Sequence, residues 1–292
     1  MNQFSIKDVE ALTGIKQHTL RIWEQRYNFI KPKRTNTNIR FYDDDDLKLL
    51  LNISLLNKNG FKISKIAKLS NNEIEEIILE FGNQSDNKLY QLHTLTGCML
   101  NLDEYNFEQI IRNNFTMHGV AKTMTDLIFP FLNHIGVLWM SGAVNPAFEH
   151  FITNMIRSKL IVATDMLGYH KLSKHNGKKY LLFLPSGETH EIGLLFANYY
   201  FRSLGHHTMY LGQNLPANEL QVIIQTYKPD YIFTSVTIPL TPKKMKTFLD
   251  ALMSETIKVP VMLTGRILNE LELPLPMHFH KIFSIDDLKP FC

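Results

Sequence analysis

The chain is poor in cysteine: Cys98 and Cys292 are the only two in 292 residues. They stand too far apart for zinc-binding or dithiol spacing, so a disulfide scaffold and a thiolate metal centre are excluded and a reducing compartment is expected. Long apolar runs are missing as well. No stretch approaches the roughly 20 residues that span a bilayer. The opening Met1-Asn2-Gln3-Phe4-Ser5-Ile6-Lys7-Asp8 lacks the basic-then-apolar order of a secretion signal. A cytoplasmic protein without membrane contact is expected. Also absent are a Walker loop, a Gly-x-Gly-x-x-Gly turn, a Gly-x-Ser-x-Gly elbow and a His-Glu-x-x-His pair, so a hydrolase or a dinucleotide enzyme has no motif to rest on.

What remains is a globular composition, 45% hydrophobic and 20% charged, with length for two or three domains. The net charge of +3 conceals an asymmetry. Residues 1–70 hold nine Lys and four Arg against seven acids, a net of +6, while the remainder carries −3. A basic first quarter on a mildly acidic body suggests a nucleic-acid-binding module joined to something else.

The pattern along the chain supports that division. Residues 4–12 read as a short amphipathic helix, with Ser5 as N-cap and Gly14 where a tight turn needs positive φ. A second helix runs from about His18 to Tyr27, with Leu20, Trp23 and Tyr27 inward. Residues 31–42 have no helical period, and Pro32 blocks one, so they read as a small basic hairpin or wing. Asp43–Asp46 then favour the positive end of a helix dipole, and the helix they open ends at Asn59-Gly60.

Residues 82–89 read as a polar linker. Helical patterns come next at Tyr90–Leu100, Tyr105–Met117, Val120–Met140 and Pro146–Gly168, which suggest a four-helix bundle. After a second polar stretch, Lys171–Lys179, the period changes to strands. These fall at Tyr180–Pro185, Thr208–Leu211, Tyr231–Ser235, Val259–Thr264 and Lys281–Ile285, with helices expected at 189–204, 216–227 and 241–255. The chain is thus expected to be multidomain α and α/β. A winged helix-turn-helix spans 1–75, a four-helix bundle 88–168, and a doubly wound parallel, flavodoxin-like sheet domain 178–292.

In such a sheet the ligand crevice lies at the carboxyl ends of the strands. There stands Ser186-Gly187-Glu188-Thr189-His190-Glu191-Ile192-Gly193. Imidazole is a good transition-metal ligand, and a carboxylate two residues earlier can orient it through its second nitrogen. One imidazole alone would need further ligands, unless a cofactor brings its own equatorial set. His206-His207 and His278-x-His280 have no supporting carboxylate or thiol cluster and read as loop histidines.

Three resemblances sharpen this reading. Phe4-Ser5-Ile6, Leu12-Thr13-Gly14, Thr19 through Tyr27, Pro32-x-Arg34 and Arg40-Phe41-Tyr42 before Asp46-Leu47 resemble the MerR family of winged-helix regulators over roughly 70 residues. The resemblance implies binding to a double-stranded DNA operator. Arg21 and Arg26 would approach the major groove, and Arg34, Arg40 and the Tyr42 hydroxyl would meet phosphates. Trp23 reads as core.

Glu188-x-His190-x-x-Gly193 resembles the Asp-x-His-x-x-Gly signature of cobalamin-binding proteins, in the Glu-x-His form of light-sensing regulators. By this resemblance His190 is the lower ligand of the cobalt, Glu188 orients it and Gly193 leaves room for the displaced nucleotide tail. Ser235-Val236-Thr237 satisfies the serine-containing part of the signature. Gly265 supplies the first glycine of an expected pair, but Arg266 replaces the second.

Trp139, followed by nine residues and then Glu149-His150, is similar to the Trp-x9-Glu-His motif of CarH/LitR photoreceptors. That likeness implies that Trp139 and Glu149 contact the organic group of adenosylcobalamin, and that His150 can take up cobalt once the group has left. It further implies a dark homo-oligomer, dimer or tetramer, that represses and is released by light, with no enzymatic role. Two alternatives stand beside it. One is a corrinoid-carrier subunit of a methyltransferase, against which the basic head argues. The other is a MerR-type regulator whose ligand domain is degenerate or has turned to another ligand, a reading that Arg266 keeps open.

Overall fold

The computed structural model describes residues 3–27, 30–35, 38–82, 88–140, 145–168, 177–238, 242–256, 259–269, 275 and 277–292. The chain divides into two compact units, Met1–Met155 and Ile156–Cys292. No helix among the described residues is long and apolar enough to cross a membrane.

The first unit begins with α1 (Ile6–Thr13) and α2 (Gln17–Tyr27). Ser5 and Asp8 exchange side-chain and backbone bonds in a capping box, and Gly14 closes α1 at φ 73°, a conformation that favours glycine. Strands β1 (Lys33–Arg34) and β2 (Arg40–Phe41) pair antiparallel as the expected wing. Asp43 and Asp46 form a second capping box that starts α3 (Asp44–Lys58). Leu20, Trp23, Leu47, Leu50 and Leu51 are buried, so Trp23 is a core residue. Next come two further helices, α4 (Ile63–Ile66) and α5 (Asn71–Gly82), the second opened by Ser70 and Glu73, which exchange side-chain and backbone bonds.

The helical region then comprises α6 (Lys88–Asn101), α7 (Glu104–His118), α8 (Val120–Thr123), a π-helical turn at Met124–Ile128, α9 (Phe129–Met140) and α10 (Pro146–Asp165). The run expected as one helix, 120–140, is continuous and carries that turn within it, where the Phe129 N–H reaches back to the Met124 carbonyl. Pro130 explains the position, because its ring would clash with the Asp126 carbonyl in a regular α-helix. Phe107, Ile111, Ile128, Phe131 and Ile135 fill the core, with the Phe107 and Phe131 rings 5.9 Å apart.

One buried group makes the first unit sensitive to acid. His93 on α6 is only 4% exposed. Burial, reinforced by the Lys58 ammonium and the His134 ring, lowers its pKa from 6.5 to about 4. Between those values only the unfolded chain takes up the proton, so stability is full above pH 6.5 and falls toward pH 4. The loss reaches about 3 kcal/mol at about 1.4 kcal/mol per unit. Urea unfolding at pH 7 and pH 4.5 checks this: His93→Leu should remove that part of the pH dependence, and an unchanged slope would contradict the assignment.

The second unit holds a five-stranded sheet of β3 (Lys179–Pro185), β4 (His207–Leu215), β5 (Tyr231–Ser235), β6 (Val261–Thr264) and β7 (Phe279–Lys281), in the order β4-β3-β5-β6-β7. All pairs are parallel. The last strand corrects the expectation of 281–285. Phe279 packs on one face of the sheet and Ile282 on the other, while residues 285–291 turn into a 3-10 helix. Along β3, Leu181 and Phe183 join one buried face and Tyr180, Leu182 and Leu184 the other. Both faces are covered, as a parallel sheet requires. Helix α11 (Ile192–Ser203) lies on the second face, and α12 (Leu220–Tyr227) and α13 (Pro242–Thr256) on the first. Helix α11 starts at Ile192 rather than at 189, which leaves residues 186–191 as a loop at the carboxyl end of β3.

Candidate functional site

That loop is built around one buried carboxylate. Strand β3 ends at Pro185, and Gly187 turns the chain at φ 84°. Its N–H donates to Asn214 Oδ1 at 2.8 Å, which fastens the turn to the end of β4. Glu188 then points inward and is fully buried. Its Oε1 accepts the N–H groups of Thr189 and His190, both at 2.9 Å, and its Oε2 accepts those of Thr237 at 2.5 Å and Ile238 at 3.0 Å. The same carboxylate therefore ties the loop after β3 to the loop after β5.

His190 Nδ1 lies 2.6 Å from Glu188 Oε1. Burial alone would raise the pKa of Glu188, but the bonds from the His190 ring and from the His190, Ile238 and Thr237 backbone outweigh it and hold the group at about 2. With Glu188 ionised, the shared proton sits on Nδ1 and the lone pair on Nε2. The His190 side chain is 57% exposed, so an oriented imidazole is presented at the mouth of the sheet.

The loops around it are held closely. Val236 N–H donates to the Thr264 carbonyl at 3.0 Å, and Gly265 comes next with φ 109°. A side-chain carbon at Gly265 would stand 2.3 Å from the Val236 carbonyl oxygen, so only glycine fits. At Gly193, in the first turn of α11, an added carbon would meet nothing within 4 Å, and the space above it is open. Ser235 is buried at the end of β5 and Thr237 is half-buried beyond it. The Thr234 hydroxyl beside them is buried with no hydrogen-bond partner among the described residues, leaving an unmet polar group at that end of the sheet. Arg266, in place of the second glycine, is exposed at the start of a short 3-10 helix.

No group of three or more His, Cys, Asp and Glu among the described residues could hold a bare metal ion. A single oriented imidazole beside open space suits a metal that arrives with its other ligands in place, as cobalt does in a corrin. The oriented imidazole and the open space at Gly193 fit such a group.

The residues of the Trp-x9-Glu-His spacing belong to the first unit. Trp139 is the last but one residue of α9, and its side chain lies outside the described residues. Glu149 and His150 lie near the start of α10, with His150 Nδ1 3.5 Å from Glu149 Oε2 and its ring largely exposed.

In the head, Arg21 and Arg26 are exposed on α2, with the Arg26 guanidinium 5.5 Å from the centre of the Tyr27 ring. Arg34 is exposed on the wing and donates to the carbonyl and side-chain oxygens of Asn38. Tyr42 is placed differently from the expected phosphate contact. It is fully buried, and its hydroxyl donates to Glu24. Burial and that carboxylate together push its pKa up. Arg40, largely covered, has a guanidinium nitrogen 3.5 Å from the other Glu24 oxygen. Tyr42 thus fixes the wing against α2, and motif spacing could not reveal that its ring points inward.

Three residues around the histidine loop escape sequence reasoning. Glu191 is 7% exposed, accepts a bond from Arg157 Nε of α10, and accepts the Tyr210 hydroxyl of β4 at 2.9 Å. No local signal links residues 34 and 19 positions apart.

Comparison with known proteins bears on the head and on the helical region. Residues 4–73 match the MerR HTH family of regulatory proteins, and residues 91–163 match the B12 binding domain. The chain is 27% identical over 235 residues to the HTH-type transcriptional repressor CarH of Myxococcus xanthus, covering 78% of this chain and 77% of the relative. It is 25% identical over 283 residues to the HTH-type transcriptional repressor CarA of the same organism, covering 96% and 90%. Among solved structures, the monomethylamine corrinoid protein of Methanosarcina barkeri superposes with a TM-score of 0.52 at 13% identity, over 66% of this chain and 93% of that one, a likeness of fold.

Proposed function

We propose that this chain, a MerR-type transcriptional regulator with a B12-binding domain and a distant homologue of the CarH and CarA repressors, holds adenosylcobalamin in the dark and leaves its operator in light. The observation that carries the reading is the Glu188–His190 pair, a buried carboxylate aiming an exposed imidazole out of the sheet. Adenosylcobalamin would supply the photochemistry, since visible light breaks its cobalt–carbon bond.

The chain's own residues do the rest. His190 would hold the cobalt through its Nε2, and Glu188 keeps the ring from turning. Gly193 would leave room for the nucleotide tail, and Ser235, Thr237 and Gly265 would lie beside it. Trp139, Glu149 and His150 are the residues assigned to the upper side. A dark homo-oligomer, dimer or tetramer, presents several basic heads to one stretch of double-stranded DNA in the cytoplasm. Such multivalency raises binding by about 10²–10⁴ without a new contact at any head. Loss of the oligomer in light removes that gain while Arg21, Arg26 and Arg34 stay as they are.

Electrophoretic shift of operator DNA by the full chain tests this. Protein loaded with adenosylcobalamin in darkness should bind at least about 100-fold more tightly than after green light. Equal binding before and after illumination would sink the photoregulatory reading.

A further inference from the structure

We propose that Arg157, Glu191 and Tyr210 form a bridge that ties α10 to the loop carrying His190, and that through it the position of the helix and the ligation of His190 control one another. The inference rests on the reading of His190 as the cobalt ligand.

Glu191 is the residue directly after His190. One of its oxygens is held by Arg157 from α10 and the other by Tyr210 from β4. Glu188, two residues before His190, is held at both oxygens by four backbone N–H groups. The backbone of His190 is therefore clamped between two buried carboxylates, and each is fixed by elements remote in sequence. The two clamps differ in kind. Glu188 is bonded within the loops of the sheet, whereas Glu191 takes a cationic partner from a helix outside the sheet.

Arg157 is itself half exposed, so the arginine contributes little to packing; its removal is felt at Glu191, a carboxylate left with one donor in a buried position. Burial and the Glu191 bond raise the pKa of Tyr210, so it remains a donor and cannot replace the lost charge. Helix α10 is continuous from Pro146 to Asp165, and Arg157 lies two turns after His150 on the same side of it. A turn or slide of the helix must pull on Glu191 through Arg157. By linkage, whatever fixes the His190 loop must in return bias the helix. The chain just beyond α10 is also pinned, because Arg202 donates to the Gly168 carbonyl at 3.1 Å. The helix accordingly has a held end and one charged contact beside the metal-ligand loop.

The test uses the full-length chain and the variants Arg157→Met, Arg157→Lys and Glu191→Gln. In the cofactor-free protein, amide hydrogen exchange at residues 188–192 should quicken in Arg157→Met and be partly restored in Arg157→Lys. With aquacobalamin in darkness, Arg157→Met and Glu191→Gln should each weaken binding by about 10-fold, the lower end for groups that orient a ligand. The pH at which the imidazole leaves cobalt, tracked by absorbance, should rise by about one unit, and Arg157→Lys should recover part of it. A merely structural role would lower the melting temperature and leave that pH unmoved, which would overturn the proposal. Unchanged loop exchange in Arg157→Met would overturn it as well. Failure of the native chain to bind aquacobalamin, or full binding by His190→Ala, would instead refute the ligand reading, and the exchange experiment would still decide whether the bridge holds the loop.

Discussion

His190→Ala should fold as the native chain does and lose cobalamin affinity by at least about 100-fold, the upper end of the loss seen when a group that merely orients a metal ligand is disturbed. The expectation of intact folding comes from exposure: the ring stands mostly in solvent, so its loss leaves no cavity. Glu188 keeps its four backbone donors when the imidazole goes. Spectral titration with adenosylcobalamin in darkness, together with a melting curve, measures both halves. A variant that binds with native affinity and spectrum would remove His190 from the site.

Glu188→Ala should do the opposite kind of damage, because the carboxylate is structural as well as orienting. Its removal strips the acceptor from the N–H groups of Thr189, His190, Thr237 and Ile238, and each buried donor left without a partner costs about 1–3 kcal/mol. A loss of at least about 3 kcal/mol is expected even if water reaches some of them. Cobalamin binding should fall too, since nothing then holds the ring. Acid supplies a control. The Glu188 pKa is about 2 in the fold against an ordinary value of 4.5, so its contribution is full above pH 4.5 and lost as pH falls toward 2. The stability gap between native and variant chains, read by denaturant unfolding, should therefore narrow from pH 7 to pH 3. A constant gap would show that the carboxylate is not what holds the two loops.

The parts of this molecule that are legible in the sequence are those decided by neighbours along the chain. Ser5 and Asp43 announce helix starts because a capping side chain reaches only three residues ahead. The alternation of strand and helix announces the parallel sheet, and the Glu-x-His spacing announces an imidazole at its mouth. Helix α4 leaves no such mark, because it is a single turn with no side-chain cap. The last strand lies a few residues before its expected place because Phe279 and Ile282 serve opposite faces of the sheet, which only the tertiary packing assigns. Tyr42 looks like a phosphate contact until burial turns its hydroxyl to Glu24. Glu191 gives no sign at all: its partners Arg157 and Tyr210 lie on two other elements, and no periodicity encodes such a meeting.

The sharpest test of the account looks at the metal's own neighbour. The chain is grown with nitrogen-15 histidine, loaded with ordinary cobalamin, and reduced to the paramagnetic cobalt(II) state for electron paramagnetic resonance. Ligation by His190 predicts that each cobalt line splits into two, the signature of a spin-half nitrogen, and that His190→Ala loses this doublet. A threefold splitting in the labelled protein would mean that the vitamin's own base still holds the cobalt, and the central claim would fall.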